Sequence, residues 1–229
     1  MLRLVLWDVD HTLIENAGVS KEIYAAAFTA LTGRTPSHLA PTEGRTDPDI
    51  MAELLRIHEA PPFPWPQVER ALEEAGATRR GALAERGAVL PGVVDVITAL
   101  AALPGVVQTI VTGNIRANAE VKVAALGLLG WLDLDVGGYG SDDRERSRLV
   151  AVARTRAAAK YGLDFGQAAN AVVIGDTPRD IEAARGAGTR ILAVASGIHT
   201  VGELRAAGAT CVMSSLADRA AVLAFVLGS

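Results

Sequence analysis

Leu2-Arg3-Leu4-Val5-Leu6-Trp7-Asp8-Val9-Asp10-His11-Thr12-Leu13 is the stretch that decides the fold. A run rich in Leu and Val reads as a strand of a parallel sheet, buried on both faces. Asp8 and Asp10 follow where that strand ends, and open α/β sheets bind their ligands at this edge. Two carboxylates two residues apart can there handle a metal ion and a phosphate. An Asp after a strand also serves as a turn former or a helix cap, so the pair gains meaning only from companions elsewhere in the chain.

The companions exist. Ala171-Val172-Val173-Ile174 is a second pure strand pattern, and it runs into Gly175-Asp176-Thr177-Pro178-Arg179-Asp180. A third, over 106–111, runs into Thr112-Gly113-Asn114. Three strand ends thus offer acid, hydroxyl and acid. From about residue 89 onward strand and helix patterns alternate, which predicts a doubly wound parallel α/β sheet. The strand candidates are 2–7, 106–111, 133–136, 171–175 and 190–195, with a weak edge at 211–213. Val93, Val96, Ile97 and Leu100 show helical spacing. Thr200 with Glu203 reads as a capping box, and Pro178 suits a first helical turn.

Between 14 and 88 the strand pattern vanishes. Ile23, Ala27, Ala30 and Leu31, then Met51, Leu54, Leu55 and His58, recur at helical steps. Asp47-Pro48 is a helix start, and the proline-rich run 61–66 cannot continue a helix, so it joins two. The expected organisation is a core of 1–15 and 89–229 with an α-helical insert of 16–88. The crossings near 14–19 and 87–92 would act as hinges.

The bulk numbers exclude several classes. The 229 residues carry a net charge of -4 and a pI near 5.6, which gives no basic field for nucleic acid. Cys211 is the sole cysteine, so neither an intrachain disulfide nor a thiolate cluster is possible. The N-terminal sequence lacks the pattern of a secretory signal, and no apolar segment approaches the roughly 20 residues needed to cross a bilayer. The expectation is a cytoplasmic protein without membrane or nucleic-acid partners, as a monomer or a homodimer.

In its ordered motifs the chain resembles haloacid dehalogenase superfamily phosphohydrolases, of the subgroup similar to phosphoglycolate phosphatases with a helical cap. DxDxT at 8–12, the hydroxyl at Thr112, a basic residue beyond it and GDxxxD at 175–180 occur in the family's order, over nearly the whole length. The resemblance implies that Asp8 is the nucleophile and that Asp10 donates a proton to the leaving oxygen and then takes one from water. It implies Mg²⁺ held by the Asp8 carboxylate, the Asp10 backbone carbonyl and the Asp176 carboxylate. Asp180 would touch the ion through water or cap the helix. Thr112, Gly113 and Asn114 would bind the phosphate, with Asn114 opening the next helix. Thr12 is expected to shape the turn.

The family's Lys-Pro pair is absent from 140–150. Arginine can replace that lysine as a fixed charge; Arg146 is the first choice, then Arg148 and Arg144, while Lys160 is expected solvated at the far end of the following helix. His11 stands where relatives have glycine and is read equally as a substrate neighbour or an exposed turn residue. Arg45, in Gly44-Arg45-Thr46-Asp47, resembles the cap loop that closes over substrate, with an unpartnered surface arginine as the equal alternative.

The function implied is a Mg²⁺-dependent phosphatase acting on a small phosphorylated metabolite, such as a phosphoglycolate-like monoester. A sugar-phosphate mutase would share nucleophile and metal. A dehalogenase needs no Mg²⁺, and Asp10 with Asp176 argues against it. A phosphoryl-sensing protein, the reading from another class, would be shorter and would lack both the insert and Asp10.

Overall fold

The computed structural model describes residues 2–162, 165 and 170–228. Strand β1 (Arg3–Trp7) is followed by the two-residue β2 (Ile14–Glu15) and by helices α1 (Val19–Thr32), α2 (Asp47–Ile57), α3 (Trp65–Ala77) and α4 (Arg80–Arg86). β3 (Ala88–Val89) pairs antiparallel with β2, Ile14 opposite Val89 and Glu15 opposite Ala88. The chain then alternates through α5 (Val93–Ala101), β4 (Val106–Thr112), α6 (Arg116–Ala125), β5 (Gly138–Tyr139), α7 (Arg146–Tyr161) and β6 (Ala171–Gly175). It closes with α8 (Pro178–Gly186), β7 (Arg190–Val194), α9 (Val201–Ala206), β8 (Cys211–Met213) and α10 (Arg219–Leu227).

Six strands form one sheet in the order β5-β4-β1-β6-β7-β8, and every pairing in it is parallel. β1 is central because its side chains are buried on both faces, as the apolar run requires. The two-residue period of a strand sends Val5 and Trp7 to one face, against Val96, Ile97, Leu100 and Val222 of α5 and α10. It sends Leu4 and Leu6 to the other, against Leu149, Val150, Ala153 and Ile181 of α7 and α8. Each such side chain, removed from water, contributes roughly 1.5–3 kcal/mol.

The strand expected at 133–136 is instead a 3₁₀ turn, Leu134–Val136. Asp133 explains the difference: its side chain accepts the N–H of Asp135, which offers the backbone a local partner in place of a ladder. The sheet edge forms two residues later, where Gly138 and Tyr139 lie beside Val111 and Thr112.

The four helices between β2 and β3 have their own core of Val19, Ile23, Phe28, Met51, Leu54 and Leu72, which Ile115 of the sheet layer joins. Residues 61–64 stay outside any helix, and α3 begins at Trp65 with Pro66 in its first turn, where proline's missing N–H costs nothing. Among the described residues no helix is long and apolar enough to cross a membrane.

Candidate active site

β1 lies between β4 and β6, so the residues that follow these three strands are forced together. The N–H of Asp8 donates to the carbonyl of Ile174 at 2.9 Å. Asp8, Asp176 and Asp180 each bring a carboxylate oxygen within 4.8 Å of the others, all three buried. Arg146, the first residue of α7, reaches into this group: its Nη2 lies 2.7 Å from Asp8 Oδ1 and 2.5 Å from Asp180 Oδ1. Its Nη1 donates to the carbonyl of Gly44 at 3.4 Å. Its Nε is buried and has no hydrogen-bond partner among the described residues.

The other basic candidates lie elsewhere. Arg148 is 67% exposed and pairs with Asp143 and Glu145; Arg144 is exposed; Lys160 pairs with Asp133 and Asp135 in solvent. Asp180 spends Oδ2 on the N–H and hydroxyl of Thr177, completing a capping box at the start of α8, and Oδ1 on Arg146. Thr12 does more than shape a turn. Its hydroxyl donates to Asp176 Oδ1 at 3.2 Å and orients that carboxylate.

Packing these acids together has an electrostatic cost. Burial pushes the Asp8 carboxyl up, with Arg146 opposing and the charges of Asp180 and Asp10 reinforcing. Burial pushes Asp176 up more strongly, and the charges of Asp8 and Asp180 add to it. One guanidinium therefore falls short of balancing three carboxylates. The deficit of positive charge is what a divalent cation supplies, and an all-oxygen donor set suits a hard one.

Asp10 is in the opposite situation. Burial would raise it, but the Lys122 ammonium, with hydrogen bonds from Lys122, Asn114 and Asn16, outweighs burial and holds it at about 2. Lys122 Nζ lies 2.6 Å from Asp10 Oδ2 and 2.7 Å from Asn114 Oδ1. Asn114 Nδ2 donates both to Asp10 Oδ2 and to Thr112 Oγ1. Asn16 and Ser20 donate to Asp10 Oδ1. Asn114 therefore does not open α6, whose N-cap is Ile115; its amide is committed to the site instead.

Lys122 is the functional candidate that sequence reasoning missed. Its signal was available: Asn118, Ala119, Lys122 and Val123 occupy the buried face of α6, and a lysine on an apolar helical face calls for a partner.

The loop before α2 covers these strand ends. The N–H of Asp47 donates to the carbonyl of Gly113 at 2.8 Å, and Asp47 accepts from the N–H of Ile115 and the hydroxyl of Tyr24. A Cβ on Gly113 would sit 2.1 Å from the carbonyl oxygen of Arg45, so only glycine lets the two backbones meet. Arg45 itself donates to the carbonyl of Asp49. His11 adopts φ 59°, the left-handed region that glycine enters freely, and its ring meets Glu15 at 3.0 Å. Beneath the loop lies a cavity of about 60 Å³, whose walls include Asp8, Asp10, Thr112, Arg45, Arg146 and Asp176.

A doubly wound sheet with an aspartate pair after its central strand and an acid, a hydroxyl and a basic group at the neighbouring ends defines a class of hydrolase. Residues 5–185 match the haloacid dehalogenase-like hydrolase family; the chain belongs to that family and is an enzyme of it. Over 223 residues it is 26% identical to the probable phosphatase IndB of Dickeya dadantii (strain 3937), covering 95% of this chain and 92% of that one. Its fold is shared with CbbY from Rhodobacter sphaeroides, solved in complex with phosphate, at TM-score 0.72 and 22% identity over 95% of this chain and 96% of that one. A hydrolase from Pseudomonas syringae superposes with TM-score 0.71 at 22% identity, over 99% of both chains.

Proposed function

We propose that the protein is a Mg²⁺-dependent phosphomonoesterase acting on a small phosphorylated metabolite through an aspartyl phosphate on Asp8. The observation that carries this reading is the convergence of Asp8, Thr112 and Asp176 at three adjacent strand ends with Arg146 from the start of α7. Arg146 there offers Asp8 a fixed charge and keeps a buried Nε–H without a partner among the described residues, a donor suited to a phosphoryl oxygen. The name of the phosphatase relative agrees with the reading.

Asp8 Oδ attacks phosphorus as the bond to the leaving oxygen breaks. Asp10 protonates that oxygen, then takes a proton from water, which breaks the acyl-phosphate P–O bond and releases inorganic phosphate. With Lys122 holding the Asp10 carboxyl below its ordinary value, the proton would enter with the monoester, whose own second ionisation lies at about 6. Thr112 and the backbone at Gly113 and Asn114 hold the equatorial oxygens with Arg146. The Asp8 and Asp176 carboxylates, with the Asp10 carbonyl, would hold Mg²⁺, and Asp180 orients Arg146 behind them. Bound there, the ion offsets the mutual repulsion of carboxylate and phosphate.

Residues 16–88 serve as the cap. The closed loop leaves little room, so substrate enters when the cap parts and water is excluded when it returns. Arg45 lines the cavity from the cap side and, on leaving the Asp49 carbonyl, would pair with an anionic group on the leaving portion, as a phosphoglycolate-like monoester would carry.

Wild-type protein is expected to release phosphate from an aryl phosphate, to stop when the divalent ion is chelated, and to lose turnover by at least about 10³-fold in Asp8→Asn. Full turnover by that variant removes Asp8 as nucleophile. Isomerisation of a sugar phosphate without net phosphate release would assign the same site to a mutase.

A further inference from the structure

We propose that Lys122 is the positioning residue that sets the orientation of the Asp10 carboxylate for proton transfer. The proposal rests on the reading of Asp10 as the group that exchanges a proton with the leaving oxygen. Lys122 comes from α6, is 1% exposed, and aims its ammonium between Asp10 Oδ2 at 2.6 Å and Asn114 Oδ1 at 2.7 Å. Burying an ammonium is costly, and replacing a buried ion pair by well-packed apolar side chains is often neutral or stabilising. Between Ala119 and Val123 an apolar side chain would fill the face of α6, so the lysine answers to a demand other than packing.

That demand is geometric. Asn114 Nδ2 donates to the same Asp10 Oδ2 at 2.9 Å, so Lys122, Asn114 and Asp10 close a ring in which each member touches the other two. The ring joins the segment after β1 to the segment after β4, and Asn114 extends it to the Thr112 hydroxyl at 2.8 Å. The second oxygen of Asp10 is held differently, by Asn16 at 2.7 Å, just before α1, and by Ser20 at 3.4 Å, in its first turn. The carboxylate is thus gripped on Oδ2 by the sheet layer and on Oδ1 by the entry to the helical layer. Parting of the two layers frees Oδ1 while Lys122 and Asn114 keep the plane of the carboxylate fixed.

The test compares kcat/KM for an alkyl phosphate and for p-nitrophenyl phosphate, because an alkoxide needs a proton to leave and a nitrophenolate does not. Lys122→Met is expected to lose about 10- to 100-fold on the alkyl ester and much less on the aryl ester, with Lys122→Arg recovering part of the loss. In an Asp10→Asn background, Lys122→Met is expected to cost nothing further. Equal losses on both esters, an additional loss in that background, or wild-type rates in Lys122→Met would overturn the proposal. If Lys122→Met does not fold, Lys122→Gln carries the same comparison with the same outcomes. Full activity of Asp10→Asn on both esters would instead remove the role given to Asp10, and the two failures are distinguishable.

Discussion

At position 113 a single methyl group decides whether the two layers meet. Gly113→Ala would place a carbon 2.1 Å from the Arg45 carbonyl oxygen and 3.0 Å from Thr46 Cα. These are backbone atoms and cannot rotate away, so the loop must retreat. The expected cost is about 1–3 kcal/mol of stability and a fall in kcat/KM, checked by thermal melting and aryl phosphate turnover; a variant with unchanged turnover would show that the loop is not needed over the site. The sequence marked Gly113 only as an expected phosphate neighbour. It could not say that the Arg45 backbone lies against it, because that depends on a contact between segments far apart in the chain. Arg146, chosen through the family resemblance in place of the absent lysine, lies beside Asp8, whereas Lys122 was overlooked: a single lysine in an alanine-rich helix reads as solvated unless its helical spacing from Ala119 and Val123 is followed onto the buried face.

The start of α2 illustrates how an element is anchored. Asp47 was read as a helix-starting residue, and it holds that position, but its carboxylate serves the neighbouring layer. It bonds Tyr24 of α1 and the N–H of Ile115 ahead of α6. Burial raises its carboxyl to about 6, with the Asp10 charge adding and the Ile115 N–H, Lys122 and Tyr24 opposing. The unfolded chain releases this proton near pH 4, at about the ordinary Asp value. Between about pH 4 and 6 the folded protein keeps a proton that the unfolded chain has lost, so this group's contribution to stability falls as pH rises. Asp47→Asn can accept from Ile115 and donate to the Tyr24 oxygen without that charge. Its unfolding free energy is therefore expected to decline less than the wild type's across that window, the difference growing by at most roughly 1.4 kcal/mol per pH unit, followed by denaturant melts at each pH. Parallel curves would mean that Asp47 titrates as an exposed acid does.

For the molecule as a whole, the acid cluster would couple stability to a bound divalent ion. Asp8 and Asp176 are both pushed up, by burial first, so the ion-free folded state holds protons that the unfolded chain has released above the ordinary carboxylate range. Its stability falls as pH rises. A divalent ion must displace those protons, and its apparent affinity grows in the same direction. The gap in melting temperature between Mg²⁺-loaded and chelated protein is expected to widen from about pH 6 to about pH 8 by mass action. A constant gap would place the ion on other ligands.

At this scale the sequence was most readable where physics is periodic. The buried strands β1, β4, β6 and β7 and the helical segment between β2 and β3 all follow from apolar spacing. The sheet edge was misread at 133–136 because a strand of only two residues, Gly138–Tyr139, carries too little pattern, and Asp133 chose a turn. The pairing of Ile14–Glu15 with Ala88–Val89 was hidden for the same reason. That small ladder has an effect beyond its size. Two independent tethers would let the upper storey slide and swivel in any direction, whereas laced side by side they bend as one strap. Closure of the proposed cap would then follow one repeated track, bringing Arg45 and Thr46 back to the same spot beside Gly113.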